Sequence, residues 1–455
     1  MTWFQLTYAS SAGQGGRPGG WGVLERDAGI PSELADFMEQ GVVSHLDTGE
    51  HLPDFAPREV LFHRQRSLSF AFDPSRGAAW WHACPAGSDV TGRPGNVFTH
   101  VVGRLQPDHH SRPISLVRSS SWMNPFGHRE VAASRLNDFQ APENEQNAGT
   151  VLERAFADPV RTEALLAAVT FCFQEDRPLV LVGDTPAVID ALERLSWTTS
   201  GVVSSTIPFR TFDRARSMPS PGTPFCVVGI PPEDRVAALT HVAEGRTNAL
   251  VLDLGWCPDE EAETYWQVDG QTWPVDRRWQ DAFFRLSTLG TGVALQITEL
   301  MDEICAQLSP TELLNPSWPL ALALLRHFDE GHPDRDDLCA EWAQTRPWDD
   351  LRDPRLRELL RMDETLPAVS VLSPPVDDQQ AATGPQSIVG LLVSQCPTAP
   401  PPTVVEALEA LWAASMESSG DEVQRIQSAV QVALGLAIVA TPVANEYEWS
   451  RKDEV

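Results

Sequence analysis

Lysine is almost absent from this chain of 455 residues, because Lys452 near the C-terminus is the only one. The shortage excludes a phosphate loop of the G-x-x-x-x-G-K-[ST] type and leaves no other candidate for a Schiff-base lysine. The remaining basic residues are arginines, and acidic residues outnumber them enough to give a formal net charge of −29. A surface of that sign repels phosphate backbones and anionic lipid headgroups, so we expect no nucleic-acid binding and no membrane insertion.

Paired cysteines and long apolar runs are also missing. The seven cysteines are dispersed and include no C-x-x-C, which argues for free, mostly buried thiols in a reducing compartment. The N-terminus has neither the charged nor the apolar region of a signal peptide. The most apolar run, Val432–Ala440, is shorter than the about 20 residues that span a bilayer. The sequence therefore predicts a cytoplasmic protein.

Apolar periodicity predicts an α+β multidomain chain that begins with a β-rich N-terminal domain over residues 1–147. The alternation of apolar and polar residues is typical of strands, and glycine-rich turns separate some of them. Strands are expected at Thr2–Ser10, Trp21–Glu25, Glu59–Arg66, Ser67–Phe72, Ala78–Cys84, Asn96–Leu105 and Pro113–Arg118, with a helix at Pro31–Gln40.

Residues 148–257 predict an α/β middle domain, because short apolar runs alternate there with helical spacing. Residues 258–455 predict a mainly helical C-terminal domain, with a Pro-rich break near residues 374–385. In the middle domain, strands are expected at Pro178–Val182, Val202–Phe209, Phe225–Ile230 and Ala249–Leu254. Helices are expected on both sides of Pro159 and at Pro186–Leu195, Pro232–Ala243, Trp279–Leu289, Ala294–Gln307 and Trp318–Phe328.

Standard catalytic motifs are missing as well, since the chain has no G-x-S-x-G, no H-E-x-x-H and no EF-hand loop. Eight of the eleven histidines nevertheless precede residue 130. His82 and His100 lie in strand-like runs, where the simpler interpretation is packing against a sheet. The alternative is that they meet a carboxylate in a cleft. His109, His110 and His128, with Asp108 and Ser111, also form a Ser/His/Asp grouping by composition alone.

Two further segments have a residue content that suits ligand binding. The segment from His327 to Asp334 holds two histidines and three carboxylates, although Gly331 and Pro333 favour a solvated loop between helices over a metal site. The segment Leu181–Thr185 lies between a predicted strand and a predicted helix, where phosphate groups bind in many proteins. Its glycine pattern does not fit a dinucleotide site. From these two segments we therefore expect no cofactor and no bound metal.

Three arginines, Arg210, Arg214 and Arg216, crowd one short segment after an apolar run. Like charges this close repel each other, and Asp213 is the only carboxylate within the segment. One explanation is a set of salt bridges to other carboxylates of this acidic chain. The other is that the segment contacts an acidic or phosphate-bearing surface of a protein partner, for which arginine offers bidentate contacts. One of the three could also act as an arginine finger.

The N-terminal pattern resembles the GTPase-associated protein 1 family in its second N-terminal variety. The features that carry the resemblance are an opening strand ending at Tyr8 and Ser10, a glycine-rich turn, and a strand with Phe98, His100 and Val102. The middle segment STIPFRTFDRARS resembles the middle domain of the same family. The matching positions there are Phe209, Thr211 and Phe212.

The resemblance implies a non-enzymatic adaptor or scaffold near a GTPase in a bacterial NTP-dependent conflict system of the antiphage defence type. It brings no catalytic residues, which agrees with the empty motif search. Two alternatives remain open. One is an unrecognised hydrolase or metal-dependent enzyme that uses the N-terminal histidines. The other is a sensor of a nucleotide or another small ligand, whose site would lie at the carboxyl ends of the strands of the α/β domain.

Overall fold

The computed structural model describes residues 2–12, 19–49, 52–53, 55–105, 112–142, 145–256, 264–306, 318–328 and 332. The predicted break at 374–385 and the remainder of the predicted helical domain beyond Phe328, apart from residue 332, lie outside these residues. The described part is mixed α+β, as the sequence predicted in outline.

The N-terminal part is an antiparallel sheet with helix α1 (Ser32–Gln40) on one face. Leu6, Trp81 and Val101 on the sheet pack against Leu34 and Met38 of α1 in a buried cluster. The strand order is β2-β1-β5-β4-β3. The strands are β1 (Phe4–Ser11), β2 (Gly20–Arg26), β3 (Ser67–Asp73), β4 (Gly77–Pro85) and β5 (Val97–Arg104), and helix α2 (Arg58–Phe62) precedes β3.

The middle part adds four parallel strands to the same sheet. Their order is β7-β8-β6-β9, and β3 pairs antiparallel with β7, so the described strands of both parts form one nine-stranded sheet. The four strands are β6 (Leu179–Val182), β7 (Phe209–Arg210), β8 (Val227–Ile230) and β9 (Leu250–Asp253). The helices of this part are α4 (Glu145–Ala157), α5 (Pro159–Gln174), α6 (Thr185–Thr198), α7 (Gly201–Ser204) and α8 (Arg235–Ala243), whereas α3 (His128–Ala133) precedes them and packs against the N-terminal sheet.

The third part of the described chain is a hairpin followed by helices. The hairpin strands are β10 (Tyr265–Val268) and β11 (Gln271–Pro274), and the helices are α9 (Arg277–Thr288), α10 (Thr291–Ala306) and α11 (Trp318–His327). Trp266 and Trp273 face each other across the hairpin and are buried in the main core together with α4, α5 and α6. Apolar burial therefore ties all three parts of the described chain into one core.

Three predicted strands are wrong, and a proline or a cap explains each. Glu59–Arg66 begins within α2, which follows Pro57. Pro113–Arg118 is a 3₁₀ helix that begins at its own proline, whose fixed φ suits a first turn. Val202–Phe209 begins inside α7, because the hydroxyl of Ser200 accepts a hydrogen bond from the backbone of Val203 and caps that helix, and only Phe209 lies in a strand.

Candidate functional site

The segment that carries the arginines begins where the antiparallel and parallel halves of the sheet meet. Strand β7 is only two residues long and lies between β3 and β8. The hydroxyl of Thr211 accepts a hydrogen bond from the backbone nitrogen of Leu68 at 2.9 Å, and the Thr211 nitrogen donates to the Leu68 carbonyl at 2.9 Å. Thr211 therefore extends the junction by one residue beyond β7 through its side chain.

The two aromatic residues of this segment point into the protein. Phe209 and Phe212 are both buried, and Phe209 packs against Phe70 with ring centroids 5.6 Å apart. The carbonyl of Phe212 accepts a hydrogen bond from the hydroxyl of Ser67 at 2.9 Å. A Cβ at Gly229 would lie 2.6 Å from the Thr211 carbonyl oxygen, so this neighbouring strand needs glycine for the close approach. These family-motif residues thus have structural contacts that anchor the segment.

Arg214 is held by a carboxylate from the 3₁₀ turn that follows β8. Its guanidinium donates to both oxygens of Asp234, at 2.8 and 2.6 Å, and the backbone nitrogen of Ala215 donates to the same carboxylate at 2.8 Å. The hydrogen bonds from Asp234 raise the pKa of Arg214 above its ordinary value. With only 19% of its side chain exposed, Arg214 fixes the shape of the loop.

Arg210 and Arg216 keep much more of their side chains in solvent, at 42% and 59% exposure. Arg210 forms an ion pair with Asp213. Arg216 pairs with Asp47 at 2.6 Å and contacts His45 at 3.0 Å. Each of the three arginines therefore has a carboxylate partner within the chain, while Arg210 and Arg216 still present cationic surface. The predicted contact with a partner remains a prediction.

The N-terminal motif residues lie on the central strands β1 and β5. Ser10 exchanges hydrogen bonds with the side chain of Asn96, at 3.1 and 3.2 Å, and Tyr8 stacks on Trp21. Phe98 and Val102 are completely buried. These contacts hold strands and loops together, so the motif residues have a structural role in the packing of this domain.

His82 and His100 are direct cross-strand neighbours on β4 and β5. Both are buried against Trp122, and His82 stacks on that ring at 5.1 Å. His100 bonds to the Gln5 side chain at 3.1 Å and accepts from the backbone nitrogen of Met123 at 3.2 Å. Burial lowers the pKa of His82 to about 3 and that of His100 to about 4. The two rings meet as the enzyme hypothesis requires, but the hydrogen-bond partners are an amide and the backbone.

The other candidate groupings are only partly within the described residues. His109 and His110 lie outside them, and His128 is exposed at the start of α3. Of the segment from His327 to Asp334, only His327, Phe328 and His332 are described. Across the described ranges there is no group of three or more His, Cys, Asp or Glu side chains that could hold a metal ion. No described helix is both long and apolar enough to cross a membrane.

A cleft of about 520 Å³, counted with the open solvent at its mouth, lies at the carboxyl edge of the parallel strands. Asp190 and Arg194 of α6 line it together with Asp253 at the end of β9 and Trp256 just after that strand. The charges are already matched, because Arg194 pairs with Asp190 at 2.8 Å and Asp253 pairs with Arg235 at 3.0 Å. The first turn of α6 is capped by Asp184, whose carboxylate accepts from Ala187 and repels a phosphate group.

Residues 2–142 match the model of a protein family described as GTPase-associated protein 1, N-terminal domain type 2. The resemblance inferred from Tyr8, Ser10, Phe98 and His100 is confirmed for this part of the chain. The matched region ends well before Phe209, so the likeness of the middle segment to the same family stays a prediction.

Two curated relatives come from two strains of Mycolicibacterium smegmatis, and each carries the name "Putative ESX-1 scaffolding and assembly protein SaeB". This chain is similar to them at 29% and 30% identity over 334 residues. The alignment covers 70% of this chain and 39% of each relative, so the chain spans well under half of their length. No solved structure matches the chain.

Proposed function

We propose that this protein is a non-enzymatic scaffold that couples a GTPase to other components of a bacterial NTP-dependent system. The observation that carries the proposal is the similarity over 334 residues to proteins named for scaffolding and assembly. The match of residues 2–142 to a domain named for its association with GTPases supports a GTPase as the partner. A conflict or defence system is the setting that the family implies.

In this proposal the segment that carries Arg210, Arg214 and Arg216, here called the arginine loop, contacts the partner. Arg214 and Asp234 hold the loop in shape, and the exposed guanidinium groups of Arg210 and Arg216 exchange Asp213 and Asp47 for carboxylates or phosphates of the partner. Such exchange costs little, because exposed ion pairs contribute only about 0–1 kcal/mol. Arginine suits the role because its planar, permanently charged fork binds two oxygens at once.

The test is affinity capture of the tagged full chain from its native host, followed by mass spectrometry. We expect a GTPase to be recovered reproducibly, and its recovery to fall with the variant Arg210→Ala/Arg216→Ala. The matched control is Arg26→Ala/Arg246→Ala, since both control residues are exposed arginines in surface ion pairs. Equal recovery with both double variants would show that the loop is not the contact.

The relatives' names favour a second setting, which is the assembly of an ESX-1-type system. The same capture experiment separates the two settings, because it identifies the proteins that accompany the GTPase. Enrichment of homologues of ESX-1 components would assign the scaffold to that assembly, whereas enrichment of nucleases or other effectors would assign it to a conflict system.

The buried pair His82 and His100 bears on the enzyme alternative. The described environment gives these rings no carboxylate and lowers both pKa values far below neutrality, so neither ring is suited to act as a general base activated by an acidic residue. Purified protein should therefore not hydrolyse nucleoside triphosphates or esters. A hydrolytic activity abolished by His100→Gln in a folded variant would contradict the proposal.

A further inference from the structure

The segment of residues 55–66 exposes apolar side chains that the rest of the described chain does not cover. Phe55 is 96% exposed and Phe62 is 72% exposed, and Val60 between them is 45% exposed. Helix α2 (Arg58–Phe62), which lies within this segment, buries none of its residues. Aromatic side chains exposed to this extent leave apolar surface in contact with water, and a bound partner would bury that surface.

The same segment carries arginines that have no carboxylate partner among the described residues. Arg64 donates to the backbone carbonyls of Leu61 and Asn124, and Arg66 donates to the carbonyl of Phe62. Within the described residues, no ion pair joins Arg58, Arg64 or Arg66 to an acidic side chain. The arginine loop is different, since each of its three guanidinium groups has a carboxylate partner.

Unneutralised charge on this segment stands out in a protein with 63 acidic and 34 basic residues. Glu59 is the only acidic residue between Phe55 and Arg66. Burial, and then the neighbouring Arg64 charge, lower the pKa of Arg66, so two cations lie close together on this segment. A cationic patch on an otherwise acidic surface attracts an acidic ligand by complementarity.

We propose that Phe55, Arg58, Val60, Phe62 and Arg66 form a basic-aromatic surface that docks an acidic, apolar-bearing segment of a partner protein. The partner's apolar residues cover Phe55 and Phe62, and its carboxylates supply the counter-charge for Arg58 and Arg66. A second copy of this chain is the less favoured occupant, because each copy carries a net charge of −29 and the two repel.

The surface is anchored at its C-terminal end. The side chain of Gln65 donates to the hydroxyl of Thr185 at 2.8 Å, and Ser67 donates to the carbonyl of Phe212 at 2.9 Å. This anchoring reduces the conformational entropy that the segment loses on binding. The surface also gives the protein a second contact besides the arginine loop, and its existence does not depend on the identity of the GTPase.

The test uses the full chain and a fluorescent 18-residue peptide that is amphipathic, with Leu and Phe on one helical face and Glu on the other. A matched peptide has Lys in place of every Glu. We expect the wild-type protein to bind the acidic peptide, with an affinity that falls as salt rises. Phe55→Ser/Phe62→Ser and, separately, Arg58→Glu should each weaken binding by about tenfold or more.

The control variant Tyr265→Ser/Phe284→Ser removes two aromatic residues that are 63% and 61% exposed elsewhere, and it should bind like the wild type. Failure of the wild type to bind the acidic peptide, equal binding of both peptides, or equal loss in the control variant would overturn the proposal. Sedimentation at several concentrations completes the test. Self-association that disappears in Phe55→Ser/Phe62→Ser would assign the surface to a second copy and so overturn it.

Discussion

Arg112 and Asp302 form a buried, bidentate ion pair between residues 190 positions apart in the chain. The two guanidinium nitrogens donate at 3.0 and 3.1 Å, and the Arg112 side chain is completely buried. The backbone nitrogen of Gly201 donates to the same carboxylate, and the guanidinium lies over the ring of Trp197 at 4.9 Å. This pair joins the segment before the 3₁₀ helix, the start of α7 and helix α10 at one point.

The first prediction concerns this pair. Asp302→Ala leaves the buried guanidinium without its counter-charge, so we expect the free energy of unfolding to fall by about 3–5 kcal/mol. Urea denaturation followed by tryptophan fluorescence measures the change. Glu244→Ala is the control, because it breaks an exposed pair with Arg246 and should cost less than about 1 kcal/mol. Similar losses for both variants would contradict a special role of Arg112 and Asp302.

The second prediction is a loss of stability in mild acid caused by His82 and His100. Both pKa values lie below the ordinary value of 6.5 in the folded protein, so the unfolded chain binds more protons below that pH. Each histidine should lower the free energy of unfolding by about 1.4 kcal/mol per pH unit as the pH falls from 6.5. The loss should end near pH 4 for His100 and near pH 3 for His82.

Urea denaturation at several values between pH 6.5 and 4.5 measures this slope. His82→Phe removes one titrating ring while it keeps an aromatic contact with Trp122, and its slope should be shallower by about 1.4 kcal/mol per pH unit. Identical slopes for the wild type and His82→Phe would show that His82 protonates as easily in the folded protein as in the unfolded chain.

The third prediction separates the three arginines of the loop by their effect on stability. Arg214→Ala strands the mostly buried Asp234 carboxylate, and we expect it to cost about 2 kcal/mol or more. Arg210→Ala and Arg216→Ala break half-exposed pairs and should each cost less than about 1 kcal/mol. Thermal unfolding of the single variants gives the order directly. A larger cost for Arg216→Ala than for Arg214→Ala would contradict the geometry of the loop.

The fourth prediction tests the junction at Thr211. Thr211→Val keeps the shape of the side chain and removes the acceptor for the buried backbone nitrogen of Leu68, so it should cost about 1–3 kcal/mol. Thr240→Val is the matched control, because the Thr240 hydroxyl is exposed and bonds only to its own helix, at the carbonyl of Val236. Chemical denaturation of the two variants compares them, and equal stabilities would mean that Leu68 finds another acceptor.

The sequence predicted the elements whose pattern is set by burial. Alternation located β1, β3, β4 and β5, and apolar runs located β6, β8 and β9, because these strands are buried in the sheet. It missed the hairpin of β10 and β11, although Asp269 and Gly270 both have positive φ and Asp-Gly between alternating apolar residues is a strong hairpin signal.

The candidate site was predictable in composition and not in geometry. Three clustered arginines in an acidic chain indicate nearby counter-charges, but sequence spacing does not say that Asp47 reaches Arg216 from 169 positions away. The sequence indicated Asp234 as a counter-charge only weakly, through its position as an acidic residue at the start of a predicted helix. The basic-aromatic surface was missed because Glu59–Arg66 also fits strand alternation, and exposure of Phe62 follows only from the helix.

The two-residue strand β7 has a consequence for any attempt to produce the N-terminal part alone. The family match ends at residue 142, whereas β3 obtains its outer neighbour from residues 209 and 210. A fragment cut after residue 142 would leave the backbone of β3 as an open sheet edge with Phe70 beside it. Open, apolar edges recruit strands from other molecules, so such a fragment should aggregate where the longer chain does not.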